Sequence, residues 1–130
     1  MAIIGLVECL SRETKHLGIK TLLIEPGRFR TKLLSPGNLK TIESKISDYV
    51  EPSRAFNAGL SQEDRTQPGN PDRAVEIIVD LVRKEGCAAD RDIPLRLPLG
   101  TDCYDTIKEK CYETLNILED WESVITSTDY

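Results

Sequence analysis

The chain has 130 residues, long enough for one domain or part of one, and 39% of them are of the AVILMFWYC set, enough for a modest core and too many for a disordered chain. No apolar run approaches the ~20 residues of a membrane-spanning helix, and Met1–Leu10 lacks the basic start and small-residue cleavage site of a signal peptide. The net charge of −5 is concentrated at one end: residues 101–130 hold eight acids and two bases, residues 1–100 fourteen acids and fifteen bases. The acidic tail and the lack of a basic stripe argue against nucleic acid or an anionic membrane as partner.

Residues Met1 to about Leu17 read as a helix. Ile3, Ile4, Leu6, Val7 and Leu10 cover most of its circumference, so this end is expected to be buried. It lacks a capping residue and a preceding turn, as though entered in its middle; Gly18 is placed to stop it. Lys20–Glu25 reads as a strand, its Leu22-Leu23-Ile24 run fitting a parallel strand covered on both faces. Pro26-Gly27 ends it. Residues 28–70 are loosely patterned between the turn clusters Ser35-Pro36-Gly37-Asn38 and Gln67-Pro68-Gly69-Asn70, with short helices expected over Lys40–Val50 and Arg54–Leu60. Such a stretch is more often a binding loop than core.

Asn70-Pro71-Asp72 opens a clear helix: a cap, a proline at the first position and an acid at the positive end of the dipole. Ala74, Ile78, Leu81 and Val82 recur at helical spacing to about Lys84, and Gly86 follows as a stop. Ile93–Leu99 reads as a second strand, held to a sheet edge by Pro94 and Pro98. Thr101 is placed to cap a last helix with the stripe Tyr104, Ile107, Cys111, Leu115, Leu118, Trp121 and Ile125, on which Trp121 is expected to pack inward. The strand–helix–strand middle predicts two parallel neighbours with a right-handed crossover. Two strands alone leave an open edge on Leu22–Glu25, where the rest of a larger sheet or another chain should lie.

The four cysteines, Cys9, Cys87, Cys103 and Cys111, include no CxxC pair and have one histidine, His16, to join them, so free thiols in a reducing cytoplasm are expected and no metal site. His16 suits a helix C-terminus. Glu25, before the Pro-Gly turn, is expected to pair with an arginine rather than act as a base. Arg28, Arg30 and Lys32 form a small basic cluster that would either attract an anion or be offset by nearby acids.

The stretch Gly18-Ile19-Lys20-Thr21-Leu22-Leu23-Ile24-Glu25-Pro26-Gly27-Arg28-Phe29-Arg30-Thr31 resembles the sixth strand and following turn of the short-chain dehydrogenase/reductase family, where a strand ends in Pro-Gly and a Thr follows four residues later. Ala2-Ile3-Ile4-Gly5-Leu6 with Glu8-Cys9-Leu10 resembles the helix that begins with that family's catalytic Tyr-x-x-x-Lys. Gly69-Asn70-Pro71-Asp72 with Ala74 resembles its next helix, and Pro94-Leu95-Arg96-Leu97-Pro98-Leu99-Gly100 its last strand. Trp121 and the closing Ser127-Thr128-Asp129 also occur in such members.

The resemblance implies an α/β fold: residues 1–130 as the C-terminal portion of a doubly wound Rossmann-type domain. Its order is helix, strand, loop with short helices, helix, strand and C-terminal helix, with two parallel strands. Residues 28–70 would be the variable substrate region and 101–130 an acidic helix and tail. Tyr49, Phe56 and Leu60 would line a pocket or anchor the loop. The family is NAD(P)-dependent, passing a hydride between NAD or NADP and a carbonyl or alcohol carbon of a small-molecule substrate. By resemblance, Pro26 and Gly27 shape the cofactor turn, the Phe29 backbone bonds the carboxamide, and the Thr31 hydroxyl bonds the carboxamide or a phosphate.

Aligned on Ala2 and Gly5, Met1 falls immediately after the family's catalytic Lys. The catalytic Tyr, Lys and Ser have no aligned counterpart, and no GxxxGxG turn is present, so no catalytic residue is assigned. The expectation is a chain cut past its catalytic lysine, inactive alone and cytoplasmic; in the case of an incomplete gene model or a split gene, Tyr-x-x-x-Lys would be encoded in frame just upstream. The competing expectation is a non-catalytic module that forms a homo-oligomer through Leu6, Val7 and Leu10 or docks a partner on its open strand.

Overall fold

A computed structural model describes residues 2–130. Helix α1 spans Ala2–Thr14 and passes through a tight 3-10 turn at Lys15–Leu17 to Gly18, whose φ of 74° is the left-handed conformation that ends the segment. Strand β1 is Leu23–Pro26 and β2 is Arg96–Leu99. They pair in parallel, Leu23 with Arg96 through Pro26 with Leu99. Helix α3, Pro71–Arg83, makes the crossover. The Asn70 side chain caps it, accepting from the Asp72 and Arg73 N–H groups at 2.9 and 3.3 Å. Lys84, at φ 56°, takes the left-handed position that ends α3, one turn before Gly86. Helix α4 runs Thr101–Thr126 with Gly100 at its N-cap; Thr101 lies inside the helix, and no side chain caps it.

The element order and the two parallel strands are as expected from the sequence, with both strands shorter at their starts. Residues 28–70 differ. Instead of two short helices they form one, α2, Ser47–Glu63, which holds Pro52 inside its second turn. Tyr49 and Phe56 are exposed, so neither anchors the segment to the core.

The core is thin. Leu81, Ala88 and Leu99 are the buried apolar residues, and Gln67 is buried with them. Helix α1 has no buried residue, contrary to its apolar circumference: Ile3 and Leu6 are 68% and 69% exposed. Trp121 also fails to pack inward and is 57% exposed, because α4 leaves the body and every residue from 108 to 126 is exposed. The accessible surface is 10895 Å². A folded monomer of 14.6 kDa has about 6,900 Å². No described element covers the apolar faces of α1 and of the far half of α4.

Candidate functional site

The chain leaves β1 into a corner that residues distant in sequence hold shut. Gly27 N–H donates to the Leu99 carbonyl at 2.7 Å, extending the ladder by one bond. The turn then meets the first turn of α4. Asp102 accepts from the Arg28 N–H at 2.7 Å and from Arg28 Nε at 3.2 Å, both through Oδ2. Arg28 Nη1 reaches Glu63 Oε1 on α2 at 2.7 Å. A Cβ on residue 27 would lie 2.7 Å from the Asp102 carboxyl carbon, so any larger residue there would have to displace the Asp102 carboxylate.

Phe29 bridges Gly69 in parallel, through Arg30 N–H to Gly69 O at 2.9 Å and Gly69 N–H to Arg28 O at 3.0 Å. Arg30 then donates from Nε and Nη2 to the Gln67 carbonyl, each at 3.1 Å. Thr31 Oγ1 accepts from the Leu33 N–H at 3.3 Å and caps a short 3-10 turn, Lys32–Leu34. Pro26, Gly27, Phe29 and Thr31 therefore line one continuous turn at the carboxyl ends of both strands, the end at which open parallel sheets hold ligands.

The charges here are paired. Asp102 sits at the positive end of α4. The Arg28 backbone N–H first, then its guanidinium, hold the Asp102 carboxyl below the ordinary carboxylate range against the opposing effect of burial. Asp102 and Glu63 in turn hold Arg28 more firmly protonated. Arg96 forks onto Glu25 with Nε to Oε2 at 3.0 Å and Nη2 to Oε1 at 3.1 Å, the bidentate geometry of a structural pair. Glu25 is thereby an ion-pair partner and not a free base. Cys103 Sγ donates to the Glu25 carbonyl at 3.2 Å, and burial pushes its thiol pKa up, with Glu25 and Asp102 adding to the effect. It is a packed thiol rather than a reactive one.

Three features went unread in the sequence. Asp102 and Glu63 lie far from Arg28 along the chain; the available signal was an acid in the first turn of a predicted helix. A cavity of about 560 Å³ at the opposite end of the strands brings Arg12, Lys15, Lys20 and Lys84 together beside Thr21. These bases cluster where α1 and α3 end, and cations suit the negative ends of helices. Finally, Tyr104 and Lys108 repeat the Tyr-x-x-x-Lys spacing on α4, where Lys108 Nζ lies 5.7 Å from the Tyr104 ring centre. By the alignment above they do not stand at the family's catalytic position.

The sequence matches no family model and no curated protein sequence. A solved structure does match: a short-chain dehydrogenase from Streptomyces avermitilis, with a TM-score of 0.72 and 33% sequence identity. The match covers 99% of this chain and 44% of that one. The chain folds like the corresponding part of a short-chain dehydrogenase. It spans less than half the length of the dehydrogenase it matches.

The short-chain dehydrogenase family uses NAD(P), and the corner is small beside such a cofactor. The depression beside Phe29, floored by Leu99 and Gly100, holds about 220 Å³, below the ~300–1,000 Å³ of ordinary small-molecule sites. Asp102 Oδ1 is buried under the turn without a hydrogen-bond partner. That oxygen lies beneath Gly27 and Gly100 and does not line the depression. The Phe29 backbone and the Thr31 hydroxyl are groups of the kind a carboxamide needs, and the described residues offer no cradle for a pyrophosphate. No described helix is long and apolar enough to cross a membrane.

Proposed function

We propose that these residues form the nicotinamide-side portion of an NAD(P)-dependent oxidoreductase that passes a hydride between the cofactor and a carbonyl or alcohol carbon. The match along nearly the whole chain to a short-chain dehydrogenase carries this reading, and the placement of the Pro26–Thr31 turn at the carboxyl ends of the strands supports it. Gly27 would let the turn lie close over Asp102. The backbone at Phe29 would bond the carboxamide, and Thr31, whose oxygen already accepts from Leu33, would donate its hydroxyl proton to the carboxamide or a phosphate. NAD or NADP, when bound, supplies the hydride. The chain's own residues would hold the ring and exclude water from its face.

These 130 residues by themselves are proposed to be inactive, since proton transfer to a carbonyl needs a positioned acid and no acid–base pair faces the turn among the described residues. The chain mixed with NADPH and a broad carbonyl panel is expected to show no turnover. Turnover that Thr31→Ala abolishes would overturn that expectation.

A second reading is a non-catalytic module that self-associates or docks a partner through α1 and the open edge of β1. It is favoured by Leu6 and Leu10, which stand exposed on α1 beside half-buried Val7. Under it the protein is a homo-oligomer through Leu6, Val7 and Leu10, located in the cytoplasm, and Leu6→Lys makes it monomeric.

A further inference from the structure

The projecting part of α4 carries a seven-residue repeat. Tyr104, Cys111, Leu118 and Ile125 are spaced by seven, Ile107 and Trp121 follow the first and third by three, and Leu115 follows Cys111 by four. A strict seven-residue apolar repeat is the pattern of a helix that pairs with another helix along a seam, rather than of one lying on a sheet. All of α4 beyond Ile107 is exposed, so nothing in the described chain occupies this seam.

The charges beside the seam choose the partner and its direction. On one side of the stripe, Lys108 stands in the first half of the helix, and Glu119 and Glu122 stand in the second. A parallel pair of copies would set Lys108 beside Cys103 and Glu122 beside Ile117 of the partner, leaving both charges without an opposite partner. An antiparallel pair sets Lys108 of each copy against Glu122 of the other, Cys111 against Leu118, and Tyr104 against Ile125.

The surface of α4 has the matching shape. A shallow groove of about 340 Å³ runs between Leu115, Leu118 and Ile125, with Glu119 and Glu122 along it. At the other end of the helix Lys108 lies over the Tyr104 ring, so an apolar ring and a cation are presented together. In the antiparallel register this pair enters the groove, ring toward Leu118 and Ile125 and ammonium toward the glutamates.

The area is sufficient. A specific interface buries about 1,600 Å² in total, ~800 Å² on each side, and a seam from Tyr104 to Ile125 runs about 31 Å along the helix with Tyr104, Leu115, Leu118, Trp121 and Ile125 all exposed on it. We infer that α4 is a self-association helix, pairing antiparallel with α4 of a second copy of this chain through the Tyr104–Ile125 seam. This interface is separate from α1 and does not depend on the oxidoreductase reading.

Sedimentation of the full chain under reducing conditions, at tens of micromolar, tests it. The expected species has twice the 14.6 kDa mass. Leu118→Glu changes an exposed residue, so it should leave the far-ultraviolet circular dichroism unchanged and weaken association at least tenfold. Lys108→Glu should weaken it, and Lys108→Glu combined with Glu122→Lys should restore it.

Direction is read by crosslinking. In a Cys9→Ser, Cys87→Ser background, oxidation after Leu118→Cys should join position 111 of one copy to position 118 of the other. Within one helix these positions are ~10.5 Å apart along the axis and cannot bridge. A monomeric wild type overturns the proposal. So does a dimer that survives Leu118→Glu and is lost with Leu6→Glu, which would place the contact on α1. A Cys111–Cys111 bridge in the wild type would mean parallel helices and overturns it as well.

Discussion

At its first turn α4 is fixed by Asp102, which holds the Arg28 backbone and guanidinium together; at its far end the same helix carries Trp121 with most of its surface in water. The two regions are held by different physics. The corner around residues 26–31 is built from directional bonds made by nearby backbone and charged groups. Such bonds are satisfied within the chain whatever else is present. The apolar faces of α1 and the far half of α4 gain free energy only by leaving water. They need another surface, and none of the described elements supplies it. The difference teaches that geometry at the strand ends is intrinsic to this stretch of sequence, whereas much of its hydrophobic stabilisation is not.

The comparison breaks most visibly if the corner tolerates a larger residue. Gly69→Ala should have the largest effect. Its Cβ would fall 2.8 Å from the Arg28 carbonyl oxygen and 2.6 Å from the Phe29 ring, so backbone must move. Losing the Phe29–Gly69 bridge and the seat of Arg30 should cost about 3 kcal/mol. Chemical denaturation of the variant should show the midpoint lowered, or no cooperative transition. An unchanged midpoint would mean that the corner is looser than its bond lengths suggest.

A smaller effect is expected from the charge on Asp102. Its pKa is lowered in the folded state, so the stability it contributes is present above the unfolded value of ~3.9 and is lost as pH falls through the folded pKa. Asp102→Asn keeps the shape and removes the charge. It should cost about 1–2 kcal/mol near neutrality. The loss should shrink as acid removes the same charge from the wild type. Melting temperatures measured from pH 7 down to pH 2 would show the two curves converging. Parallel curves would mean that the carboxylate's charge does not matter to the corner.

How much of this was legible in the sequence follows the same division. Local signals were readable: Asn70-Pro71-Asp72 did cap α3, Gly18 did end the first helical segment, and Leu23-Ile24 did form a strand beside Arg96 and Leu97. The Glu25–Arg96 pair was half legible, since a buried acid needs a base but the sequence does not say which. Arg28 with Asp102 was not legible, because only the parallel pairing brings the start of α4 against the end of β1. The helix over 47–63, which holds Pro52 in its second turn, was read as two short pieces because the segment is loosely patterned. Trp121 and the α1 leucines misled in one consistent way. Amphipathic pattern reveals which face seeks cover, but not whether the cover belongs to the described chain.

The smallest effect on folding should come from α1, and it sharpens the contrast most directly. Leu6 is 69% exposed, so Leu6→Lys removes little buried area and should change monomer stability by no more than ~0.5 kcal/mol. Its effect should appear instead in intermolecular behaviour. Equilibrium unfolding of the wild type should depend on protein concentration, because association stabilises the folded state by mass action. If α1 contributes to that association, Leu6→Lys should reduce the dependence while leaving the transition at high dilution where it was. If Leu6→Lys destabilises the chain equally at every concentration, Leu6 is packed within its own chain. The apolar face of α1 would then belong with the corner, on the intrinsic side of the division.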